Sequence, residues 1–425
     1  ETNAVYDFND RHSLFGKIYY YDNDRQLPGI VHYYTDENNE TLRERNAFVQ
    51  LQYRGRFGNH WSLLMTGKFN WAMSDYHNGQ PGGGVVSAQY WQRESYGSTA
   101  LLYTPVRWLA VDYSIDYVWQ NLNSSLSVAE RPFRHSLLQS LSSKMTLGRV
   151  TAIARLLGSA YFNGAKGGKS GQDECRLSPS ISLSYRLIPH QEFYLRAFWK
   201  SIFRIPTFNE LYYYHIGSTD LKPEKAEQFN LGITYAMPDR QLSWFVRLTL
   251  DVYVNNVKDK IIAIPFNMFV WRMMNMAKVR AYGTDVTVDI KRRIAMRQSI
   301  GLTANYSWQR AENRINPESE YYKNQIAYTP VHSFSVTLTW LNPWANWAVS
   351  MDGQSERWAT REHSTGTSIA GYTEMDVNVY RSFSLGKGIL TARVGMMNAT
   401  DKQYSIVAHY PMPGRSWRVA VKYEF

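Results

Sequence analysis

Leu177-Ser178-Pro179-Ser180-Ile181-Ser182-Leu183-Ser184-Tyr185-Arg186-Leu187 is the stretch on which the fold turns. Its odd positions are Leu, Pro, Ile, Leu, Tyr and Leu; its even positions are Ser, Ser, Ser, Ser and Arg. Alternation of this kind is the period of a strand with one apolar and one polar face. The same period recurs in Phe193, Leu195, Ala197 and Trp199, in Leu248, Leu250, Val252 and Val254, and in Phe334, Val336, Leu338 and Trp340. No helical stretch of comparable regularity interrupts it.

Short and long turns alternate along the chain. Short ones fall at Gly58-Asn59-His60, Thr104-Pro105-Val106, Gly148-Arg149, Pro189-His190, Pro238-Asp239, Arg292-Arg293, Asn342-Pro343 and Gly386-Lys387-Gly388. Between them lie longer polar segments near 24–42, 75–90, 120–133, 163–175, 207–223, 259–277, 311–324, 356–369 and 404–414. Short turns on one side and long loops on the other are the layout of a transmembrane antiparallel β-barrel. Paired strands around nine long loops predict about 18 strands, all within one barrel domain over 1–425. A soluble β-sandwich or propeller is the alternative. Two features weigh against it. Full charges such as Lys68, Arg196 and Lys200 occupy the faces opposite Trp and Leu. Trp108, Trp340, Trp344 and Trp347 cluster around short turns, where an interfacial girdle belongs.

Composition narrows the class further. The chain of 425 residues carries 31 Tyr, 14 Trp and 18 Phe, too many for a disordered polymer. No apolar run reaches the roughly 18 residues a membrane helix needs. A single Cys excludes an intrachain disulfide. The formal charge is +11, yet the longest basic run is Lys291-Arg292-Arg293, so no nucleic-acid partner is expected. Attraction to anionic lipopolysaccharide at an outer rim is the expected use of that charge. Gly168-Lys169-Ser170 ends like a phosphate loop but lacks its first glycine and its helix. GxSxG and HExxH are absent. No catalytic or metal residue is assigned, and an enzyme is not expected.

The chain ends with Trp417, Val419, Val421, Tyr423 and Phe425 on one face. This resembles the C-terminal assembly signal of outer-membrane barrels, with Phe425 as its terminal aromatic. Ser201-Ile202-Phe203-Arg204-Ile205-Pro206-Thr207-Phe208-Asn209-Glu210-Leu211-Tyr212 leads to Asp220-Leu221-Lys222-Pro223-Glu224-Lys225 and Phe229-Asn230-Leu231-Gly232. Asn398-Ala399-Thr400-Asp401-Lys402-Gln403-Tyr404 precedes Pro411-Met412-Pro413-Gly414-Arg415. Together these resemble the signatures of TonB-dependent outer-membrane receptors. Phe203, Arg204, Pro206, Glu210, Leu211, Leu221, Pro223, Glu224, Pro413, Gly414 and Arg415 are read mainly as structural. Pro206 ends ladder donation, Pro223 restarts a strand, Gly414 allows a tight bend, and Arg204 and Glu224 are placed to pair across the loop base.

The resemblance implies a 22-stranded barrel of a Gram-negative outer membrane, filled by an N-terminal plug that engages the TonB energy transducer. No plug-like stretch precedes Tyr19, and the first strand is expected near 11–23. The chain is therefore expected to be the C-terminal part of a longer receptor, lacking the plug and about four strands. A complete 18-stranded passive porin is the rival. The resemblance also implies a transported ligand, with no covalently bound cofactor. Arg25-Gln26-Leu27-Pro28-Gly29 resembles receptors for corrinoids such as cobalamin, often capped by a surface lipoprotein. Haem and ferric siderophores are the alternatives. Ligand-binding candidates are the loop aromatics Tyr33, Tyr34, Tyr76, Tyr212, Tyr213, Tyr214, Tyr321 and Tyr322 with His77 and His215. His215 falls where haem receptors of the family place a His, but Ser218-Thr219 replaces the Asn-Pro expected beside it. Arg196, Lys200, Arg247 and Asp251 are expected to face the lumen.

Overall fold

In the folded chain the apolar face of the 177–187 alternation points outward. Leu177, Ile181, Leu183 and Tyr185 are 69%, 45%, 49% and 42% exposed, while Ser178 is buried. A soluble sandwich buries its leucines and wets its serines. The inverse arrangement is that of a strand whose apolar face meets lipid. The structure, a computed structural model, describes residues 1–425 apart from 28–39, 79–85, 127–130, 214–216, 238–243, 266–270, 361 and 425. Among the described residues no helix is long and apolar enough to cross a membrane.

The chain divides into two compact units. The first comprises Glu1–Leu183, Trp199–Glu227 and Val257–Ala277. It opens with β1 (Thr2–Asn9), β2 (His12–Gln26), β3 (Glu40–Phe57), β4 (Trp61–Asn78), β5 (Val86–Val106), β6 (Leu109–Ser124), β7 (Arg131–Leu147) and β8 (Val150–Lys166). Each strand pairs antiparallel with the next, from Thr2↔Ile18 through to Leu147↔Val150. Their outward rows hold Val49, Leu51, Met65, Phe69, Leu141 and Leu156, all exposed.

Next come β9 (Glu174–Arg186), β10 (Glu192–Arg204), a one-turn helix α1 (Phe208–Tyr212), β11 (Glu224–Met237) and β12 (Trp244–Pro265). The second unit comprises Ser184–Phe198, Gln228–Asn256 and Lys278–Phe425. It contains most of β13 (Trp271–Ala295), then β14 (Gln298–Asn313), β15 (His332–Leu341), β16 (Asn346–Gln354), β17 (Tyr372–Leu385), β18 (Gly388–Met397) and β19 (Ser416–Glu424). These six neighbouring pairs are again antiparallel. In this unit Arg196, expected to set a lumenal field, donates to both carboxylate oxygens of Asp251 at 3.0 and 2.9 Å, so the two charges offset one another. The described strands of the large antiparallel sheet number 19.

Three expectations change. The first strand is Thr2–Asn9, ahead of the 11–23 segment; its alternation is short and both its faces are exposed. Several polar segments read as loops are partly ladder: Glu40–Leu42 pairs with Tyr76–Asn78, and Val86 opens β5. Polarity marks where lipid ends, whereas a ladder continues into water as long as partners remain. Two short turns shift: the Arg292-Arg293 turn lies at Met296-Arg297, because Ile294 and Ala295 extend the strand, and the Thr104-Pro105-Val106 turn lies at Arg107-Trp108, because β5 runs on to Val106. The Pro238-Asp239 turn and Phe425 fall outside the described residues.

Placing a charge on the outward face tests the orientation. Ile181→Lys should destabilise the barrel in bilayers by roughly 2–4 kcal/mol if near the midplane. Ser182→Lys on the opposite face should stay within about 0.5 kcal/mol. Urea unfolding in phospholipid vesicles measures both; equal losses would contradict an outward lipid face.

Candidate ligand site

The site is built on the segment joining β10 to β11, within the first unit. Pro206 is buried and donates no hydrogen bond, so the chain leaves the ladder there. Thr207 caps α1: its hydroxyl accepts from the Glu210 N–H at 3.3 Å, and Glu210 accepts from the Thr207 N–H at 2.7 Å. This reciprocal box starts a helix too short to persist alone.

Arg204 ties the segment down. Its guanidinium donates to Glu210 at 2.9 Å and to Glu224 at 2.8 Å, joining the end of β10, the helix and the start of β11. Glu224 also accepts from the Ile261 N–H at 2.6 Å. Burial alone would raise the Glu210 carboxyl. The Arg204 bond and the Thr207 N–H outweigh it and hold the group below the usual carboxylate range. Leu211, Leu221 and Ile261 form one small core beneath the helix, and Phe208 joins Ala88, Tyr90 and Leu122 in another.

Arg134 is the residue the sequence did not announce. It is 5% exposed, donates to Asn163 at 2.6 Å and to the Pro206 carbonyl at 2.9 Å, and lies 5.0 Å over the Phe208 ring. It therefore braces the same loop from β7. The only cue was a charge in an alternating strand, which Lys68 and Arg196 share.

Two cavities flank Tyr213. One, of about 320 Å³, is lined by Tyr90, Leu122, Tyr212, Tyr213, Asp220 and Arg272 among others. The second, of about 390 Å³, adds Tyr19, Tyr21, Glu44, Arg45 and Asn209. Tyr90, Leu122 and Tyr213 border both. The Tyr213 ring stacks on Tyr90 at 4.4 Å, and burial pushes its hydroxyl pKa up. Aromatic walls with an acid and a base on each rim suit a bulky ligand with a flat body and polar edges.

Of the candidate aromatics, the structure brings Tyr212 and Tyr213 to these cavities. Tyr76 and His77 end β4 and line neither; Tyr76 accepts from Asn78 instead. Tyr321 and Tyr322 belong to the second unit, where Arg314 donates to the Tyr322 hydroxyl at 3.2 Å. Tyr33, Tyr34, Tyr214 and His215 lie outside the described residues. Tyr19, Tyr21 and Tyr90 were missed because they sit in strands, where an aromatic reads as wall. Phe203 packs 6.2 Å from Tyr161. Pro223 is buried at the start of β11. In the closing hairpin the Pro413 carbonyl accepts from Asn398 and the Arg415 N–H donates to Asp401 at 2.8 Å. Gly414 does not have positive φ; a Cβ there would stand 2.8 Å from the Asp401 carboxylate, so close approach is what requires glycine.

The depressed Glu210 carboxyl sets a pH window. Its contribution is present above the unfolded value and lost as pH falls through the lower folded one. Hydrogen exchange at Leu211–Tyr213 should stay slow through the ordinary carboxylate range and accelerate only below it. Glu210→Gln should exchange fast at every pH. Opening of the wild type within the ordinary range would exclude the Arg204 bond as the clamp.

Comparison with known proteins agrees with this architecture. The vitamin B12 transporter BtuB of Vibrio vulnificus (strain YJ016) is 24% identical over 230 residues, covering 52% of this chain and 33% of the transporter. The chain thus matches about a third of that relative's length. Among solved structures, the copper transporter OprC superposes with TM-score 0.77 at 13% identity, over 99% of this chain and 70% of that one. The ferric citrate transporter FecA gives 0.73 at 16%, over 98% and 68%. The siderophore receptor PiuA of Acinetobacter baumannii gives 0.76 at 12%, over 99% and 73%. Residues 155–399 match the family described as TonB dependent receptor-like, beta-barrel, and the chain belongs to that family.

Proposed function

We propose that this chain is the barrel domain of an outer-membrane transporter that binds a scarce, bulky nutrient, a corrinoid such as cobalamin, and passes it to the periplasm. The observation that carries the reading is the similarity to a protein named as a vitamin B12 transporter. The stacked Tyr90–Tyr213 pair and its two cavities support it by offering flat apolar walls with charged rims. In this reading an N-terminal plug and further strands complete the barrel, and the TonB transducer drives release through the plug. Lipopolysaccharide surrounds the outer rim, and a surface lipoprotein covers the loops. Thr2–Asn9 and Ser416–Glu424 are exposed along their whole length on both faces, which supports neighbours added beside them.

A ferric siderophore or haem is the second reading, since solved relatives include a ferric citrate transporter and a siderophore receptor. The receptor-family match weighs against a passive porin.

Calorimetry on the full-length receptor separates the ligands. Cyanocobalamin should bind, with haem and ferric citrate weaker. Tyr213→Ala should lower the affinity about tenfold, the scale of one aromatic stacking contact. Binding of haem or ferric citrate alone would replace the corrinoid reading.

A further inference from the structure

The cavity of about 320 Å³ carries one acid and one base that the fold leaves unpaired. Asp220 and Arg272 are the charged side chains among the described residues that line it, and both are exposed. Among the described residues neither forms an ion pair. Elsewhere in this unit neighbouring opposite charges do pair: Arg204 with Glu210 and Glu224, and Arg25 with Glu44.

Both residues are held in place by their chain neighbours. Gly217 lets the backbone fold back over α1, since a Cβ there would stand 2.7 Å from the Leu211 carbonyl. The Ser218 N–H then donates to the Glu210 carbonyl at 2.9 Å. Leu221, next to Asp220, is 7% exposed in the core with Leu211 and Ile261. Met273, next to Arg272, packs on that same core. Asn275 fastens the two segments: it accepts from the Lys222 N–H at 2.8 Å and donates to the Lys222 carbonyl at 2.9 Å. Two clamped segments therefore present opposite charges to one cavity without joining them. Joined, the acid and the base would satisfy each other; held apart, they are two separate ligand contacts.

We infer that Asp220 and Arg272 select an amphoteric ligand. It offers an anionic oxygen to the Arg272 guanidinium and an amide N–H to the Asp220 carboxylate, and its flat body lies against Tyr212 and Tyr213. This rests on the reading of the cavity as the transporter's ligand site. A guanidinium presents a planar fork to a phosphodiester or a carboxylate. A carboxylate accepts from amides and repels other carboxylates. The pair therefore divides the candidate ligands. A corrinoid such as cobalamin brings both groups, a phosphodiester and a ring of amide arms. Haem and ferric citrate bring carboxylates without amides, so Asp220 works against them even as Arg272 attracts them. Discrimination of this kind needs the repulsive group as much as the attractive one.

Calorimetry on the full-length receptor tests it with three probes: cyanocobalamin, dicyanocobinamide, which lacks the phosphodiester and its base, and ferric citrate. Arg272→Gln should weaken cyanocobalamin about fivefold, the scale of an exposed charge pair, and leave dicyanocobinamide unchanged. Arg272→Lys should retain most of the affinity. Asp220→Asn should strengthen ferric citrate about fivefold by removing the repulsion, and should weaken cyanocobalamin by less, because an amide oxygen still accepts. Lys222→Gln, exposed and lining neither cavity, should change nothing. Heat-modifiable migration confirms that each variant is folded. Equal losses of cyanocobalamin and dicyanocobinamide in Arg272→Gln, or no loss of either, overturn the anion contact and leave the corrinoid reading in place. No gain of ferric citrate in Asp220→Asn overturns the role of the acid. A wild type that binds ferric citrate or haem and not cyanocobalamin overturns the corrinoid reading, and the assignment with it.

Discussion

Hydrocarbon offers no hydrogen-bond partner, so every backbone N–H and C=O that crosses it must be satisfied by a neighbouring strand. The rest of this molecule follows from that requirement. It explains ladders in which each strand pairs antiparallel with the next in sequence. It explains why the side chains that a soluble protein would hide are the exposed ones, from Leu177 to Val421. The apolar face does not drive folding by leaving water for a packed core. It sets which side of an already paired sheet can lie in lipid.

Outside the hydrocarbon the constraint relaxes, and other interactions organise the chain. The β10–β11 connection is held by charge and caps: Arg204 between Glu210 and Glu224, and Arg134 on the Pro206 carbonyl. A second buried guanidinium, Arg357, is 2% exposed and donates to the Ser405 and Ile406 carbonyls, tying two loops of the second unit. Multidentate arginine suits this work because one side chain reaches several fixed acceptors at once. The same clamps that shape the loop place Tyr213 against Tyr90, so the cavity walls depend on polar contacts that touch no ligand.

Particular residues show how far the sequence could be read. The serine-leucine alternation at 177–187 carried the strand and its two faces, because period two separates faces without any tertiary information, while the exposure of Leu177, Ile181 and Leu183 decided which face turns outward. Arg204, Glu210 and Glu224 were legible as a motif, but the motif did not say that one guanidinium joins all three. Tyr90 and Arg134 were not legible at all. In a strand, the residue that lines a site and the residue that merely faces the lumen occupy the same parity. The Arg292 turn was misplaced because charge was taken as the end of a strand, when it only marks the end of the apolar layer.

By itself the sequence determined the period, the alternation of turns, and the family to which the middle of the chain belongs. Those are local properties, set by backbone geometry and by which side chains lipid accepts. Only the tertiary structure decided which residues meet: Tyr213 with Tyr90, Arg134 with Pro206, Arg357 with the Ser405 and Ile406 carbonyls. These contacts join residues far apart in the chain, and their partners follow from ladder register and loop closure, which no local pattern encodes.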